Sequence, residues 1–276
     1  MKNSHDILFP YAYNILGSAE DAKDVIQDAL VKYISIDKKH IKNEIGYLVK
    51  SVVNQAINLK KKRSRAITSE VWLPEPISTD NADSNINKEE ILSYSMLALI
   101  EKLTAKERAV FILKEAFDYS HREIADTLGL TIENSRKLLS RSRTKLEDNK
   151  STGSRIPQKD SSLSQHYVEA MKNGDVSALE QLLSEDIQLA ADGGENIKVV
   201  RELTSGITNT SRLLLYVYHA FLAGLEIEFA AVNHQPAILY YQNGSLYNCQ
   251  VYELEGQKIR RIFSIVDPNK LRLLFP

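Results

Sequence analysis

The sequence predicts a multidomain protein in which two all-helical domains precede an α+β domain. Between residues 18 and 147, apolar residues recur at helical spacing behind Ser/Thr-x-x-Glu patterns that are typical of helix starts. In the last quarter of the chain, four strand-like runs are separated by turn dipeptides such as Asn243-Gly244. Two polar stretches, 78–88 and 148–162, have no apolar period and indicate linkers.

The predicted boundaries follow from these changes of pattern. The first helical domain covers residues 1–68, a linker covers 69–88, and the second helical domain covers 89–148. A second linker over 149–161 leads to an α+β domain over 162–276. A meander of strands after helices predicts a curved antiparallel sheet with helices on one side.

Composition indicates an intracellular globular protein. The 276 residues are 43% hydrophobic and 26% charged. The single cysteine, Cys249, excludes a disulfide framework and a cysteine-rich zinc site and suggests a reducing compartment. No apolar run is as long as a membrane span, and "MKNSHDILFP" lacks the apolar core of a signal peptide. We therefore expect a cytoplasmic protein, with no cofactor and no metal.

The net charge of −1 hides an uneven distribution. Residues 1–66 carry 12 Lys+Arg against 7 Asp+Glu, net +5, whereas residues 151–276 carry 11 against 14, net −3. A basic first domain indicates a polyanionic partner for that part of the chain.

Two helices are predicted in the first domain. One starts at Ser18, and the members of its apolar stripe are Val25, Ile26, Ala29, Leu30 and Tyr33. The other lies within 43–65 and ends in a basic run. Its expected buried residues are Tyr47, Leu48, Val52 and Ile57.

The second domain is predicted to contain a helix-turn-helix. Thr104 with Glu107 and Ser120 with Glu123 form two capping patterns, and Gly129 closes the helix "HREIADTL". A long cationic helix follows Thr131, and such a pair is typical of duplex DNA binding. Its expected packing side consists of Ile132, Ser135, Leu139, Ser142 and Leu146.

The third domain begins with "LSQHYVEAMKNGDVSALEQLLSEDI", which predicts two helices joined at an Asn-Gly-Asp turn. The predicted strands are "LEIEFAAV", "PAILYYQ", "LYNCQVYEL" and "KIRRIFSIV".

Several of these stretches together resemble one family. "LFPYAYNILGSAEDAKDVIQDALVKYI" is similar to region 2 of extracytoplasmic-function (ECF) sigma factors. "LTAKERAVFILKEAFDYSHREIADTLGLTIENSRKLLSRSRTKL" is similar to region 4 of the same family. "YVEAMKNGDVSALEQLLSEDIQLAADGG" resembles the start of a SnoaL-like (NTF2-like) domain, which one group of these sigma factors carries at the C-terminus.

Three short motifs strengthen the resemblance to that group. The group has "WLPEP" between regions 2 and 4, "DGGGK" in the SnoaL-like domain and a sequence like "NPDKL" near the chain end. Here the counterparts are "WLPEPI" (72–77), "DGGEN" (192–196) and "DPNKL" (267–271). Glu195 and Asn196 replace the usual Gly and Lys.

The resemblance implies a factor that binds core RNA polymerase, through its beta-prime clamp and beta flap, and directs promoter-specific transcription initiation. It implies a polymerase-binding face made of Asp24, Gln27 and Asp28. It implies that the −10 element is bound by Asn54, Lys60, Lys61, Lys62, Arg63 and Arg65. The −35 element would be bound by Thr131, Glu133, Asn134, Arg136, Lys137, Ser140, Arg141 and Arg143.

The resemblance also implies an intramolecular contact by which the SnoaL-like domain modulates activity in cis. The expected participants are Trp72, Leu73, Pro74, Glu75, Pro76, Asp192, Gly193, Gly194, Asp267, Pro268, Lys270 and Leu271. Two prolines favour an extended segment that presents Trp72 to a partner surface. The alternative is that Trp72 packs back onto the first helical domain. Whether the domain activates or inhibits, and whether its pocket holds a small ligand, stays open.

Two other functions remain open from the sequence. The chain could be a helix-turn-helix regulator that binds duplex DNA without polymerase, but region 2 would then have no purpose. It could also be a SnoaL-like enzyme fused to a DNA-binding module, with Asp192, His219 and His234 as candidate catalytic residues.

Overall fold

The computed structural model describes residues 4–64, 71–80, 88–147, 161–200, 203–272 and 274. These residues form two compact units. The helical unit contains 4–64, 88–92 and 96–147, and the C-terminal unit contains 71–80, 93–95 and the described residues from 161 onward. The linker segment 71–80 is therefore part of the C-terminal unit.

The described α-helices before residue 148 include the predicted ones, and the first and fourth were not predicted. They are α1 (Ser4–Leu16), α2 (Ala19–Ser35), α3 (Glu44–Ser64), α4 (Tyr94–Leu99), α5 (Ala105–Glu115), α6 (His121–Leu128) and α7 (Ile132–Glu147). Helix α1 packs on α2 and α3, and α5 and α6 in turn pack on α3. Both helical segments thus lie in one compact unit. None of the helices in the described ranges is long and apolar enough to cross a membrane.

The predicted helix starts are confirmed. The Ser18 hydroxyl accepts a hydrogen bond from the amide of Asp21. Reciprocal capping boxes are present at Thr104 with Glu107 and at Ser120 with Glu123. These contacts satisfy amide groups that have no partner in the first turn of a helix.

The prediction that Tyr47 and Ile132 are buried is wrong. Tyr47 is 38% exposed and Ile132 is 42% exposed, whereas Leu48 and Leu139 are buried as expected. On α3 the buried stripe is centred on positions one residue further along, and the Tyr47 ring lies at its border against Tyr33, 5.8 Å between centroids. On α2, Leu30 is half-buried, and the other four members of the predicted apolar stripe are buried.

The C-terminal unit begins with two helices and continues into a sheet. Its elements are α8 (Ser161–Asn173), α9 (Val176–Leu182), β1 (Leu183–Asp192), β2 (Thr204–Ser205), α10 (Ile207–Val217), a π-helical turn (Tyr218–Leu222), β3 (Glu226–Val232), β4 (Gln235–Gln242), β5 (Ser245–Glu255), β6 (Lys258–Ile265) and α11 (Pro268–Leu271). The four predicted strands correspond to β3–β6. The "LLSEDI" stretch, expected to end a helix, instead enters β1 at Leu183.

The sheet is mixed. The prediction of an antiparallel sheet is wrong for one pair of strands, β1 and β6. The strand order is β2-β1-β6-β5-β4-β3. Strands β3 to β6 form an antiparallel meander, but β1 pairs with β6 in parallel. Parallel neighbours require a long connection, and here α10 and the whole meander separate β1 from β6. Local pattern carries no information about such a pairing.

Turn chemistry closes the meander as predicted. Asn243 and Gly244 have φ of 52° and 76°, the left-handed pair of a two-residue hairpin. Asn233 and His234, with φ of 47° and 63°, form a similar turn between β3 and β4 that the sequence analysis did not mark. Behind the sheet, helix α8 contributes Tyr167 to the apolar core.

We predict that the thiol of Cys249 reacts only when the C-terminal unit unfolds. The side chain is fully buried in β5, and burial raises the pKa of the thiol well above its ordinary value. Labelling by a thiol reagent should therefore follow the denaturant dependence of unfolding, as measured by absorbance. A Ser245→Cys variant adds an exposed thiol to the same strand and should label at once. Rapid labelling of the unmodified native protein would contradict the prediction.

Candidate functional site

A buried ion pair at the edge of the C-terminal unit holds the linker. Lys270 Nζ lies 2.6 Å from Asp192 Oδ2 and donates to the Leu73 carbonyl at 2.6 Å. The Leu73 amide donates to the same Asp192 oxygen at 2.7 Å. The Lys270 nitrogen also lies 4.3 Å from the centroid of the Trp72 ring, a cation–π contact. We call Trp72, Leu73, Asp192 and Lys270 the linker site.

The linker completes the polar contacts of this ion pair. Asp192 is 5% exposed and Lys270 is 7% exposed, so both charges are largely removed from water. A buried pair is tolerated only where further hydrogen bonds use its remaining donors and acceptors. Leu73 supplies one donor and one acceptor, and the other Asp192 oxygen accepts from the Gly194 amide at 2.9 Å.

Two glycines bring the parts of the linker site together. A Cβ on Gly193 would collide with the carbonyl oxygen of Ile197. A Cβ on Gly194, which has φ of 62°, would collide with the carboxylate of Asp267. Asp267 in turn caps α11 by accepting from the Asn269 amide at 3.0 Å. The "DGG" and "DPNKL" motifs therefore contact each other directly, through Gly194 with Asp267 and through Asp192 with Lys270.

The two prolines of the linker are buried, and one of them accepts a hydrogen bond from a tyrosine. Leu73, Pro74, Glu75 and Pro76 are buried. The Pro74 carbonyl accepts from the Tyr94 hydroxyl at 2.6 Å, and the Tyr94 ring packs 5.4 Å from that of Phe263. The role of Tyr94 cannot be predicted from the sequence, because nothing local distinguishes it from an ordinary core tyrosine.

Beyond the prolines, the linker pairs with the end of β3, the outer strand of the sheet. Asn233 donates its amide to the Ile77 carbonyl and accepts from the Ile77 amide through Oδ1, both at 2.9 Å. The Thr79 amide donates to Ala231 at 2.9 Å. This pairing covers backbone groups that an outer strand otherwise leaves open. The side-chain hydroxyl of Thr79 accepts from the His234 amide at 3.0 Å.

The candidate catalytic residues do not meet in the cavity of the C-terminal unit. A cavity of about 370 Å³ lies among β1, α10, β5 and β6, and none of Asp192, His219 and His234 is among the described residues that line it. Asp192 belongs to the linker site, and the His219 side chain is exposed. In the described part of the chain, no cluster of three His, Cys, Asp or Glu could hold a metal.

In the helical unit, α7 presents the residues predicted to bind the −35 element. All eight are exposed, namely Thr131, Glu133, Asn134, Arg136, Lys137, Ser140, Arg141 and Arg143. Thr131 caps the helix by accepting from the Asn134 amide at 3.1 Å. The opposite side of the helix is anchored by the buried Leu139 and Leu146.

A hydrogen bond fixes α7 against α6. His121 Nδ1 lies 2.9 Å from the buried Ser135 hydroxyl. Burial, followed by the nearby cations Arg136, Lys114 and Arg143, lowers the pKa of His121. The lowered pKa favours the neutral imidazole in this contact.

The residues predicted to bind the −10 element divide into two groups. Lys61, Lys62 and Arg63 are exposed at the end of α3, and Arg63 forms an ion pair with Asp21. Lys60 is buried and donates to Glu101 at 2.7 Å, and Asn54 donates to the Thr127 carbonyl at 2.8 Å. Arg65 lies outside the described residues.

Charged and aromatic groups connect the two helical segments. The fully buried Arg108 pairs with Glu101 and donates Nε to the Asn14 carbonyl at 2.9 Å. Its Nη2 is buried and has no hydrogen-bond partner among the described residues. The Tyr11 ring stacks on Phe117 with centroids 3.8 Å apart. An arginine within the apolar stripe of α5 was the sequence signal for this contact, and it was missed.

The acidic face predicted to bind polymerase is accessible. Asp24, Gln27 and Asp28 are exposed on α2, while Val25 and Ile26 between them are buried.

Comparison with known proteins explains both helical segments. Residues 2–66 match the model of sigma-70 region 2, and residues 94–146 match that of sigma-70 region 4. The probable ECF RNA polymerase sigma factor SigI of Mycobacterium tuberculosis is 24% identical over 270 residues, which cover 96% of this chain and 91% of that protein. The chain is an ECF sigma factor.

The similarity of this sigma factor to known proteins extends into the C-terminal unit. The ECF RNA polymerase sigma factor SigJ of Mycobacterium tuberculosis is 26% identical over 227 residues, covering 79% of this chain and 72% of that protein. The structure also matches the crystal structure of SigJ, with a TM-score of 0.78 and 20% sequence identity. The match covers 98% of this chain and 96% of the SigJ chain. The fold of helical sigma regions followed by an α+β domain is therefore confirmed.

We predict that replacing Lys270 by Met releases the linker. The change leaves the Asp192 carboxylate buried without its cation, a loss that typically costs about 3–5 kcal/mol. Hydrogen exchange at the amides of Leu73 and Thr79, measured by mass spectrometry, should become faster. Lys258→Met, at the exposed start of β6, is the control and should leave linker exchange unchanged. Unaltered exchange in Lys270→Met would mean that the ion pair does not hold the linker.

Proposed function

We propose that this sigma factor directs promoter-specific transcription initiation and that its C-terminal unit controls it in cis by binding the linker between regions 2 and 4. The observation that carries the proposal is the linker site. There both backbone groups of Leu73 serve as partners of the buried Asp192–Lys270 pair. A contact of this kind couples the fold of the C-terminal unit to the position of the linker.

Promoter binding is assigned to the two basic surfaces. The exposed side of α7 would enter the major groove of the −35 element, where a good bidentate base contact is worth about 1–3 kcal/mol of discrimination. Lys61, Lys62 and Arg63 would follow the melted −10 strand, and such phosphate contacts provide affinity more than specificity. The exposed acidic face of α2 would bind the beta-prime clamp, and region 4 would bind the beta flap.

Binding of the −10 strand by the full predicted set requires the two regions to separate. Asn54 and Lys60 both contact residues of the region 4 segment, Thr127 and Glu101. Lys60, Glu101 and Arg108 contribute buried or partly buried charges to this contact. Charged groups regain hydration when a buried contact opens. Separation therefore costs less than it would for an apolar interface of the same size. Polymerase binding would supply the difference.

The linker sets how far the regions can move apart. Residues 65–93 connect α3 and α4, and a fully extended chain of this length would span roughly 95 Å. The segment 71–80, about a third of these residues, has its path fixed on the C-terminal unit. A bound linker thus favours regions that stay close together, and a released linker allows them to separate.

Neither alternative function is favoured. A helix-turn-helix regulator that acts without polymerase does not account for region 2, which matches over residues 2–66. The relatives are named as sigma factors, and the candidate catalytic residues do not share the cavity.

Deletion of the C-terminal unit tests control in cis. A chain ending at residue 150 should give transcript levels different from those of the full-length protein, because its linker has lost its binding site. The assay is transcription in vitro with core polymerase on promoters selected by the full-length holoenzyme. Lys270→Met should shift output in the same direction as the deletion, and Lys258→Met should not.

Two results of that assay have distinct meanings. Equal output from the truncated and full-length proteins would refute control in cis. Failure of the full-length protein to initiate from any selected promoter would refute promoter-specific initiation itself.

A second variant tests the closed state of the helical unit. Glu101→Gln leaves Lys60 and Arg108 buried without a counter-charge, so the contact between regions 2 and 4 should open more often. Hydrogen exchange should become faster in the second half of α3 and in α6. Asp118→Asn removes the acid of an exposed ion pair with Lys114 and should have no such effect. Identical exchange in both variants would show that Glu101 does not hold the regions together.

A further inference from the structure

We propose that the cavity of the C-terminal unit binds a neutral, largely apolar small molecule bearing a hydrogen-bond-accepting oxygen, and that this molecule strengthens linker binding. The second half of the inference rests on the proposed function, while the first half stands without it. The evidence consists of the cavity lining, its buried polar side chains, its aromatic mouth and its position beside the linker site.

The cavity has the size and lining of a ligand site. Its volume of about 370 Å³ falls within the range of known small-molecule pockets. Leu189, Ile197, Leu214 and Leu222 contribute to apolar walls. The described lining residues include no carboxylate, and Lys198, whose side chain is exposed, is the only cation among them. Burial of a charged body in such a cavity would be costly, so a neutral ligand fits.

The buried polar side chains of the lining lie on the adjacent strands β5 and β6. Gln250 is only 2% exposed, and its Oε1 accepts from the Tyr252 hydroxyl at 2.7 Å. The amide nitrogen of Gln250 is therefore the group left to serve a ligand, and it can only donate. Asn248 and Ser264, also buried in the lining, hydrogen-bond to each other at 3.1 Å. A ketone or ether oxygen would satisfy the Gln250 donor.

Exposed aromatic side chains mark the mouth. Tyr216 is 65% exposed and Phe221 is 54% exposed, and both line the cavity. Their rings meet edge to face with centroids 6.4 Å apart. Large apolar groups left in water beside a cavity are typical of a binding surface for an apolar molecule.

The cavity wall and the linker site are continuous in the chain. Ala191 and Val266 line the cavity, and the residues that follow them are Asp192 and Asp267. The Val266 amide donates to the Asp192 carbonyl at 2.9 Å, and the Ile197 amide donates to the Gly193 carbonyl at 3.1 Å. A ligand packed against these walls restricts the turn that aligns Asp192. Ligand and linker then favour each other's binding by an equal factor.

Binding can be tested with prodan, a neutral naphthyl ketone whose emission shifts to shorter wavelength in apolar surroundings. Titration of the full-length protein should give saturable binding. Val217→Trp places a large ring in the cavity wall and should weaken binding at least tenfold. Arg212→Trp adds the same ring at an exposed position on α10 and should bind like the unmodified protein. Gln250→Leu removes the donor and should weaken binding about fivefold, since a single hydrogen bond contributes modestly.

The outcomes decide each half of the inference separately. Absence of saturable prodan binding, or binding unaffected by both Val217→Trp and Gln250→Leu, would overturn the ligand site. Saturating prodan should slow hydrogen exchange at the Leu73 and Thr79 amides in the unmodified protein. Exchange unchanged by bound prodan would overturn the coupling. Neither measurement involves transcription, so their failure is distinct from failure of control in cis, which the truncation tests.

Discussion

The buried pair of Asp192 and Lys270 is the interaction on which the C-terminal unit and the linker both depend. A carboxylate and an ammonium group removed from water are stable only when nearly all their donors and acceptors are used. Here β1 supplies the acid and α11 supplies the base. The backbone of Leu73 supplies one further donor and one further acceptor, and the Gly194 amide supplies another donor. Gly193 and Gly194 allow these segments of the chain to approach each other closely. The linker thus completes a polar cluster in the fold of the C-terminal unit.

The helical unit uses the same kind of chemistry between its two sigma regions. Glu101 is shared by Lys60 and Arg108, and one nitrogen of Arg108 remains buried with no hydrogen-bond partner in the described part of the chain. A contact of this composition is specific, because each charge requires its counterpart. Water solvates the charges again when they separate, which offsets part of the cost of separation.

Sequence reasoning was accurate where structure is local. The cap at Ser18 and the hairpin at Asn243-Gly244 follow from short patterns whose physical cause lies within a few residues. The errors lie where distant residues decide the outcome. The parallel pairing of β1 with β6 and the border position of Tyr47 cannot be deduced from neighbours in the chain. The role of Lys270 was partly accessible. It was selected as a member of a motif, but its pairing with Asp192 joins residues 78 positions apart.

The pairing of Ile77 and Thr79 with the end of β3 has a consequence for solubility. Strand β3 is the last strand of the sheet on that side, and its final residues find hydrogen-bond partners in the linker. Departure of the linker returns those groups to solvent as an open edge, which is a template for strands of other molecules. The bound linker therefore covers an edge of the kind that promotes self-association when it is exposed.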